Sequence, residues 1–345
     1  MSERIAIIST SYPRQPGDAA GHFVQSEVTR LLRAGHEVHV FAPGSPVPAS
    51  DGAELHWLGD HGAFGWPGAL ARLKERPARW LGVLEFCVRA RAALRRQAPF
   101  TRVQAHFLVP CAWPIALSAT PSSQLELIGH GSDVRAFCRL PGALRGPIAR
   151  AWLARRASLR VTSSELATAL RHANPELSSA LRVEASPIDV EGVPTRRAAR
   201  DALGIPEAKP LVLIVARLIP EKRVALALRA LALIDALSAV VVGDGPELGP
   251  LRARFPNAHF TGFLPRSEAL RWIAAADVLV SASAHEGAPS VVREARALGV
   301  PVVAVAAGDL ADWATRDPGL LIVGASGPSS CSTSTDARSG ATTRD

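Results

Sequence analysis

Apolar positions along this chain alternate between two rhythms, short continuous runs and longer stretches in which they return every three or four residues. Ile5-Ala-Ile-Ile-Ser is the first run and predicts a buried strand. A Pro/Gly-rich stretch leads to Gly21, and Phe23, Val24, Val28, Leu31 and Leu32 then share one helical face. Gly35 stops that helix and Val38-His-Val-Phe-Ala supplies a second strand, so the opening is a βαβ unit with a right-handed crossover and a parallel sheet. Residues 45 to 70 are rich in Gly and Pro and read as irregular. Residues 78 to 97 predict a helix opened by Pro77, with Trp80, Leu84, Cys87 and Leu94 as its apolar positions and arginines between them. Further short apolar segments stand at 103–107, 125–129 and 159–162.

The pattern loosens between Pro187 and Lys209, then a second series begins, with strands expected at 211–216, 239–242, 258–261, 278–281, 302–305 and 320–323. The fold class is therefore α/β, with two Rossmann-like domains: residues 1–195, a hinge at 196–209, and residues 210–325. Residues 326–345 hold ten Ser or Thr and no Leu, Ile, Val or aromatic residue, and read as a disordered tail. A doubly wound domain normally closes with a helix after its last strand, and nothing after Val323 has an apolar face to bury, so the chain reads as ended early, its closing helices missing.

Composition agrees with this class. Of 345 residues 48% are hydrophobic and 20% charged, which excludes wholesale disorder and fibrous structure, and 5% aromatics disfavour a β-sandwich. Cys87, Cys111, Cys138 and Cys331 form no metal-ligand or disulfide framework, which fits a reducing, cytoplasmic setting. No apolar run is long enough for a membrane span, so membrane contact is expected to be peripheral. The net charge of +8 is not spread evenly: residues 51 to 160 hold 16 basic and 7 acidic side chains, an anion-facing surface or a solvated one. That stretch lacks the aromatic interleaving of a nucleic-acid binder, so no nucleic-acid partner is expected.

Two segments carry chemistry. Val215-Ala-Arg-Leu-Ile-Pro-Glu-Lys-Arg ends a strand in Arg217 and returns a cation at Lys222 as a helix starts, the makings of a diphosphate site, or of a solvated basic turn. These cations would hold the charge on a departing nucleoside diphosphate, and there is no Asp-x-Asp pair suited to a metal. In Ala284-His-Glu-Gly-Ala-Pro-Ser-Val-Val-Arg-Glu-Ala, Glu286 lies in a loop after a strand and Glu294 inside the next helix, about two turns on. Two such carboxylates suit sugar or ribose hydroxyls, although a loop glutamate and an exposed helical one would share that spacing.

With these pieces in order, the chain resembles the retaining glycosyltransferases of family 4, which have the GT-B architecture of two Rossmann-like domains facing across a cleft. The pieces are Ser11-Tyr-Pro, Gly21-His-Phe-Val-Gln, His106, His130-Gly-Ser-Asp, Ser186-Pro-Ile-Asp, Arg217 with Lys222, Gly243-Asp-Gly-Pro-Glu, Thr261-Gly-Phe and the glutamate pair, covering residues 3 to 323.

The resemblance implies that the first domain binds acceptor and the second binds a nucleotide-diphospho-sugar, of UDP or GDP type. Arg217 and Lys222 would hold the donor diphosphate, Glu294 the ribose hydroxyls, Glu286 with the backbone of Gly287, Ala288 and Pro289 the transferred sugar, and Gly262 and Phe263 the base. Gly21 would let the first loop approach the diphosphate, though helix capping alone also accounts for a glycine there. His130 would lie against the sugar, a catalytic place it shares with Glu286, Arg217 and Lys222, and His106 and Asp133 would serve the acceptor. His106 equally reads as a satisfied core histidine. No cofactor and no metal are expected. The activity implied is hexosyl transfer with retention to a glycan or lipid-linked acceptor, in envelope or extracellular polysaccharide synthesis, in the cytoplasm and at the inner face of an anionic membrane. A relic that binds sugar nucleotide without turnover, and a sugar-nucleotide epimerase of the same architecture, remain as other readings.

Overall fold

A computed structural model describes residues 2–14, 18, 20–44, 52–65, 68–234 and 238–324. The tail expected to be disordered lies outside the described residues, as does most of the irregular stretch around residues 45 to 51.

The first domain runs β1 (Arg4–Ser9), α1 (His22–Arg33), β2 (Glu37–Pro43), β3 (Glu54–Leu58), α2 (Ala69–Glu75), α3 (Trp80–Gln97), β4 (Arg102–His106), β5 (Gln124–Gly129), α4 (Ser132–Cys138), α5 (Gly142–Ala154), β6 (Ser158–Val161), α6 (Ser164–Ala173) and β7 (Leu181–Val183). The second runs α7 (Arg196–Leu203), β8 (Leu211–Val215), α8 (Val224–Leu231), β9 (Ser238–Val242), α9 (Leu248–Arg254), β10 (His259–Gly262), α10 (Arg266–Ala275), β11 (Val278–Ser281), α11 (Ser290–Ala297), β12 (Val302–Val305), α12 (Leu310–Ala314) and β13 (Leu320–Val323). The stretch expected as a hinge thus holds α7, whose Ala199 is buried in the second domain's core.

All described strand pairs are parallel, in the orders β3-β2-β1-β4-β5-β6-β7 and β10-β9-β8-β11-β12-β13. Both sheets reverse direction once, between β1 and β4 and between β8 and β11, and ligands of open α/β sheets bind beyond the strand ends at such switch points. Covered on both faces, β1 and β8 are continuous apolar runs: Ile5 to Ile8 and Leu213 are buried completely. In α1, Val24, Val28 and Leu31 face the sheet, and Gly35, at φ 81°, closes the helix with its N–H on the Leu32 carbonyl at 2.9 Å.

Three features go beyond the sequence reading. The irregular stretch contains β3, an edge strand whose mixed Glu-Leu-His-Trp-Leu sequence carries no clean apolar alternation. A second edge strand, β7, has three residues and is too short to show a period. The buried side of α3 is the third. Its first half, residues 80–88, is apolar on both sides apart from Gly82 and Glu85, and the sheet takes Val83, Phe86, Ala90, Ala93 and Leu94, leaving Trp80, Leu81, Leu84 and Val88 at 55%, 68%, 61% and 68% exposure. Of the apolar positions noted in the sequence, Leu94 is buried, Cys87 is half-buried, and Trp80 and Leu84 face outward. Gly82 decides the face, because a Cβ there would lie 1.9 Å from the Asp60 carbonyl oxygen and no other residue permits that approach. No described helix is long and apolar enough to cross a membrane.

The buried face has a measurable consequence. Phe86→Ala should lower unfolding stability by about 3–5 kcal/mol, whereas Leu84→Ala should change it by less than about 0.5 kcal/mol in urea denaturation. Equal effects would mean that the two faces are assigned the wrong way round.

Candidate functional site

On the second domain the site grows from the switch point between β8 and β11. Arg217 stands two residues beyond β8, exposed, on a loop pressed against the turn that follows β9. A Cβ on Gly243 would lie 1.9 Å from the Ala216 carbonyl oxygen and one on Gly245 2.4 Å from that of Leu218, so both glycines are required by the packing. The Leu218 N–H donates to the Asp244 carbonyl at 2.8 Å and seals the two loops together. Lys222 ends a single 3₁₀ turn, Pro220–Lys222, and α8 begins only after Arg223, in left-handed conformation at φ 47°. The helix expected to start at Lys222 therefore starts two residues later, at Val224.

The loop after β11 folds onto this turn. Lys222 Nζ and Glu286 Oε1 are 2.6 Å apart, both side chains mostly buried. Arg223 holds the loop's backbone from below, its Nε donating to the Ala282 carbonyl at 2.7 Å. A short, partly desolvated ammonium–carboxylate pair is a strong charge-assisted contact that a ligand phosphate or hydroxyl would have to share. Glu294 sits one layer away on α11, 4% exposed, its Oε1 2.6 Å from an Arg266 guanidinium nitrogen. Arg266 opens α10 and also donates to the Asp189 carbonyl at 2.9 Å. Gly262, at φ 76°, ends β10, its carbonyl taking the Gly243 N–H at 2.9 Å, and Phe263 beside it is 52% exposed.

The first domain contributes the ends of β1, β4 and β5. Gly21 caps α1 at φ 73°, and a Cβ there would lie 2.4 Å from the Ser11 carbonyl oxygen. The loop and helix start are thus locked together with no side chain between them. His106 ends β4 and His130 follows β5; His106 Nδ1 and His130 Nε2 are 3.0 Å apart with the rings stacked. Phe23 and Phe107 flank His130 at 4.5 and 5.0 Å between ring centres. Phe107 is held at φ 78°, a strained conformation for a bulky residue, immediately after His106.

Burial pushes the His106 pKa down to about 3, with the nearby Arg160 cation adding to the effect, and holds His130 well below the ordinary histidine range for the same leading reason. Both rings are therefore neutral near pH 7. His106 Nε2 is buried without a hydrogen-bond partner. An unpaired lone pair is tolerated there better than an unpaired N–H, so His106 carries its proton on Nδ1, donates it to His130 Nε2, and leaves the His130 proton on its other nitrogen.

Two acceptor-side expectations change. His106 is 1% exposed and lies behind His130, with no surface for an acceptor to touch. Asp133 accepts backbone N–H groups from Leu108, His130 and Gly131 at 3.0, 3.0 and 2.9 Å. Its carboxylate is committed to holding these loops, and burial raises its pKa while the same N–H donors oppose the rise.

The two halves meet at Gly287. A Cβ there would lie 2.6 Å from Thr162 Oγ1 and 3.0 Å from the His130 carbonyl oxygen. Arg135 donates to the Glu286 carbonyl at 3.1 Å, and His22 Nε2 and Ser290 Oγ are 3.3 Å apart. The Asp309 carboxylate accepts the Ser164 N–H at 2.7 Å, placing a negative charge at the N-terminus of α6. Ala288 and the buried Pro289 lead from this contact into α11. Glu286 and His130 are thereby brought to one cleft, with Lys222 behind Glu286. Sequence reasoning missed Arg266, Arg135, Thr162 and Asp309, which have no local motif; their partners lie 28 to 151 residues away.

Residues 195–325 match the domain described as glycosyl transferases group 1. The chain is 32% identical over 278 residues to 2-deoxystreptamine glucosyltransferase of Streptomyces kanamyceticus, a match covering 70% of this chain and 68% of that protein. It is 42% identical over 118 residues to GDP-mannose-dependent alpha-mannosyltransferase of Mycobacterium tuberculosis, covering 34% of this chain. The match spans 31% of that mannosyltransferase's length. Among solved structures, sucrose-phosphate synthase of Thermosynechococcus elongatus superposes with a TM-score of 0.72 at 21% identity, covering 93% of this chain and 86% of that one. The starch synthase IV catalytic domain of Arabidopsis thaliana, bound to ADP and acarbose, gives 0.67 at 16% identity, covering 90% and 84%.

The histidine pair sets an acid limit. Its folded pKa values are depressed below the unfolded value of about 6.5, so unfolding takes up protons below that pH and stability, full above it, falls as pH drops toward 3. Each buried histidine contributes a slope of about 1.4 kcal/mol per pH unit in that window. His106→Gln should flatten the stability–pH profile between pH 6.5 and 4 in urea denaturation, and an unchanged slope would mean that the pair is not buried neutral.

Proposed function

The chain belongs to the group 1 glycosyltransferases, and from that premise we propose that it moves a hexosyl unit from a nucleotide-diphospho-sugar to a glycan or lipid-linked acceptor with retention of anomeric configuration. The observation that carries this reading is the Lys222–Glu286 pair at the β8/β11 switch point, with Arg217 on the same loop after β8 and His130 across the Gly287 contact.

In this reading Lys222 and Arg217 receive the donor diphosphate, and two cations beside the N-terminus of α8 stabilise the charge that grows on the departing phosphate without requiring a metal. Glu286, held at 2.6 Å by Lys222, exchanges part of that contact for hydroxyls of the transferred sugar, helped by the backbone of Gly287, Ala288 and Pro289. Glu294 takes the ribose hydroxyls while Arg266 orients it at 2.6 Å. Gly262 and Phe263 border the base. The neutral His130 donates a hydrogen bond to the sugar, and His106 behind it acts as a positioning residue that sets which nitrogen carries the proton. The C1–phosphate oxygen bond breaks as the acceptor oxygen attacks C1 from the same face, and the departing phosphate oxygen takes the acceptor's proton. Closure around Gly287 keeps water from C1.

Envelope or extracellular glycan synthesis suits the first domain's surface. The exposed Trp80, Leu81, Leu84 and Val88 of α3 form one apolar stripe, with Arg76 and Arg79 at its start and Arg91 and Arg95 at its end. An amphipathic surface of this kind favours an anionic membrane over a protein partner, because the arginines complement headgroup charge while the stripe enters the acyl boundary.

Two outcomes test the proposal. In an assay over UDP- and GDP-sugars, one donor should stabilise the protein by about 2.7 kcal/mol at a hundredfold excess over its Kd and support transfer. Arg217→Ala should then lower kcat by about 10²–10³ with an unchanged melting temperature, and Lys222→Ala should lower kcat by a similar factor with a lowered melting temperature, because Glu286 loses its mostly buried partner. Binding without transfer would identify a relic, and turnover without acceptor an epimerase. Separately, the protein should float with vesicles containing anionic lipid and lose that association in the Trp80→Ser, Leu84→Ser double variant; flotation that ignores lipid charge would remove the membrane role.

A further inference from the structure

At the far edge of the first sheet, β2 and β3 bring together side chains that the transfer chemistry does not use. The strands pair in register, His39 opposite Glu54 and Phe41 opposite His56, so alternation sets Glu37 and His39 on the same face as Glu54 and His56. His39 is fully buried. Its Nε2 lies 2.7 Å from Glu37 Oε1, which also takes the Arg4 Nε–H at 2.8 Å. That carboxylate draws the His39 proton to Nε2 and leaves Nδ1 as a bare lone pair. Nδ1 faces His56 Nε2 at 3.1 Å and Glu54 Oε2 at 3.5 Å, and Glu54 Oε1 is 3.4 Å from His56 Nε2. The two Glu54 oxygens thus face different imidazoles, and one donor atom from each of the three residues lies within 4.8 Å of the others. In a tetrahedral zinc site, with bonds of 2.0–2.1 Å, ligand atoms stand about 3.3 Å apart.

The surroundings fit a bound ion. Phe41 stacks on His56 at 4.5 Å between ring centres, and Phe100 meets His39 edge-on at 5.2 Å, giving the imidazoles rigid apolar walls. The Glu54 side chain is 56% exposed, so the fourth direction opens to solvent. Two imidazoles and one carboxylate are a donor set for zinc-class divalent ions rather than for calcium or magnesium.

We propose that His39, Glu54 and His56 form a binding site for a zinc-class divalent cation, with water as the fourth ligand and Glu37 as the positioning residue that orients His39. The ion ties edge strand β3 to β2, where a five-residue strand offers little burial of its own. It stands apart from the cleft: His39 is level with Ala6, three residues before Ser9, which pairs with His106, or about 10 Å along the strands. The site is independent of the transfer reading and survives its failure.

Tag-free protein stripped with a chelator and titrated with Co²⁺ should develop the visible absorption of a tetrahedral cobalt site, saturating at one equivalent and bleached by Zn²⁺. Zinc should also raise the melting temperature of the stripped protein. His56→Gln, on edge strand β3 with its side chain 14% exposed, should fold and lose the cobalt spectrum. Glu37→Gln, which keeps all three ligands, should weaken affinity by about 10–100-fold, an effect that a purely structural role for Glu37 would not produce. Wild-type protein that takes up no stoichiometric cobalt or zinc, or a spectrum that persists in His56→Gln, overturns the proposal.

Discussion

One close approach governs the cleft: Gly287 lies against Thr162 and the His130 carbonyl, where a single added methyl group would overlap both. Glu286, immediately before it, gives its carbonyl to Arg135 of the first domain and its carboxylate to Lys222 of its own. The distance between the imidazole side of the cleft and the carboxylate side is therefore set by backbone packing, not by flexible side chains. Gly308 extends the same logic, since a Cβ there would lie 2.7 Å from the Gly287 carbonyl oxygen. Where side-chain volume is excluded, position is defined by hard contact, which is stiffer than any ion pair.

Electrostatics then divides the cleft. The second domain places cations and a carboxylate close together, and their mutual compensation keeps charge in a partly buried place. The first domain offers the opposite solution, two histidines kept neutral by burial and backed by aromatic rings. A neutral donor facing a charged clamp suits a ligand that is uncharged at one end and anionic at the other. Asp133 belongs to the scaffold of this arrangement, pinning the His130 loop and the Leu108 amide with one carboxylate.

Much of this was legible in the residues. Most inner strands of both sheets appear as largely apolar runs because a parallel strand is covered on both faces, with the buried Gln104, Glu126 and Arg160 as polar exceptions in β4, β5 and β6. Gly21, Arg217, Lys222 and Glu286 were identifiable because strand ends and glycine turns leave local marks, whereas Gly262 was singled out only through the family resemblance. The edge strands β3 and β7 were not, since half-exposed strands need no such run. The face of α3 was also hidden: with residues 80–88 apolar on both sides apart from Gly82 and Glu85, the first half of the helix has no preferred side until something packs against it, and the Gly82 contact with Asp60 makes that choice.

The sequence by itself determined the two-domain α/β architecture, the hairpin-free parallel connections and the residue types waiting at the strand ends, because these depend on periods and turns within a few residues. Only the tertiary structure decided which charges meet, which histidine is accessible and which stands behind it, and that His39, Glu54 and His56 converge. Lys222 and Glu286 are 64 residues apart, and Ser164 and Asp309 are 145 apart. Contacts over such separations leave no local periodicity, for they arise from where the strands lie in the sheet and not from the order of neighbours along the chain.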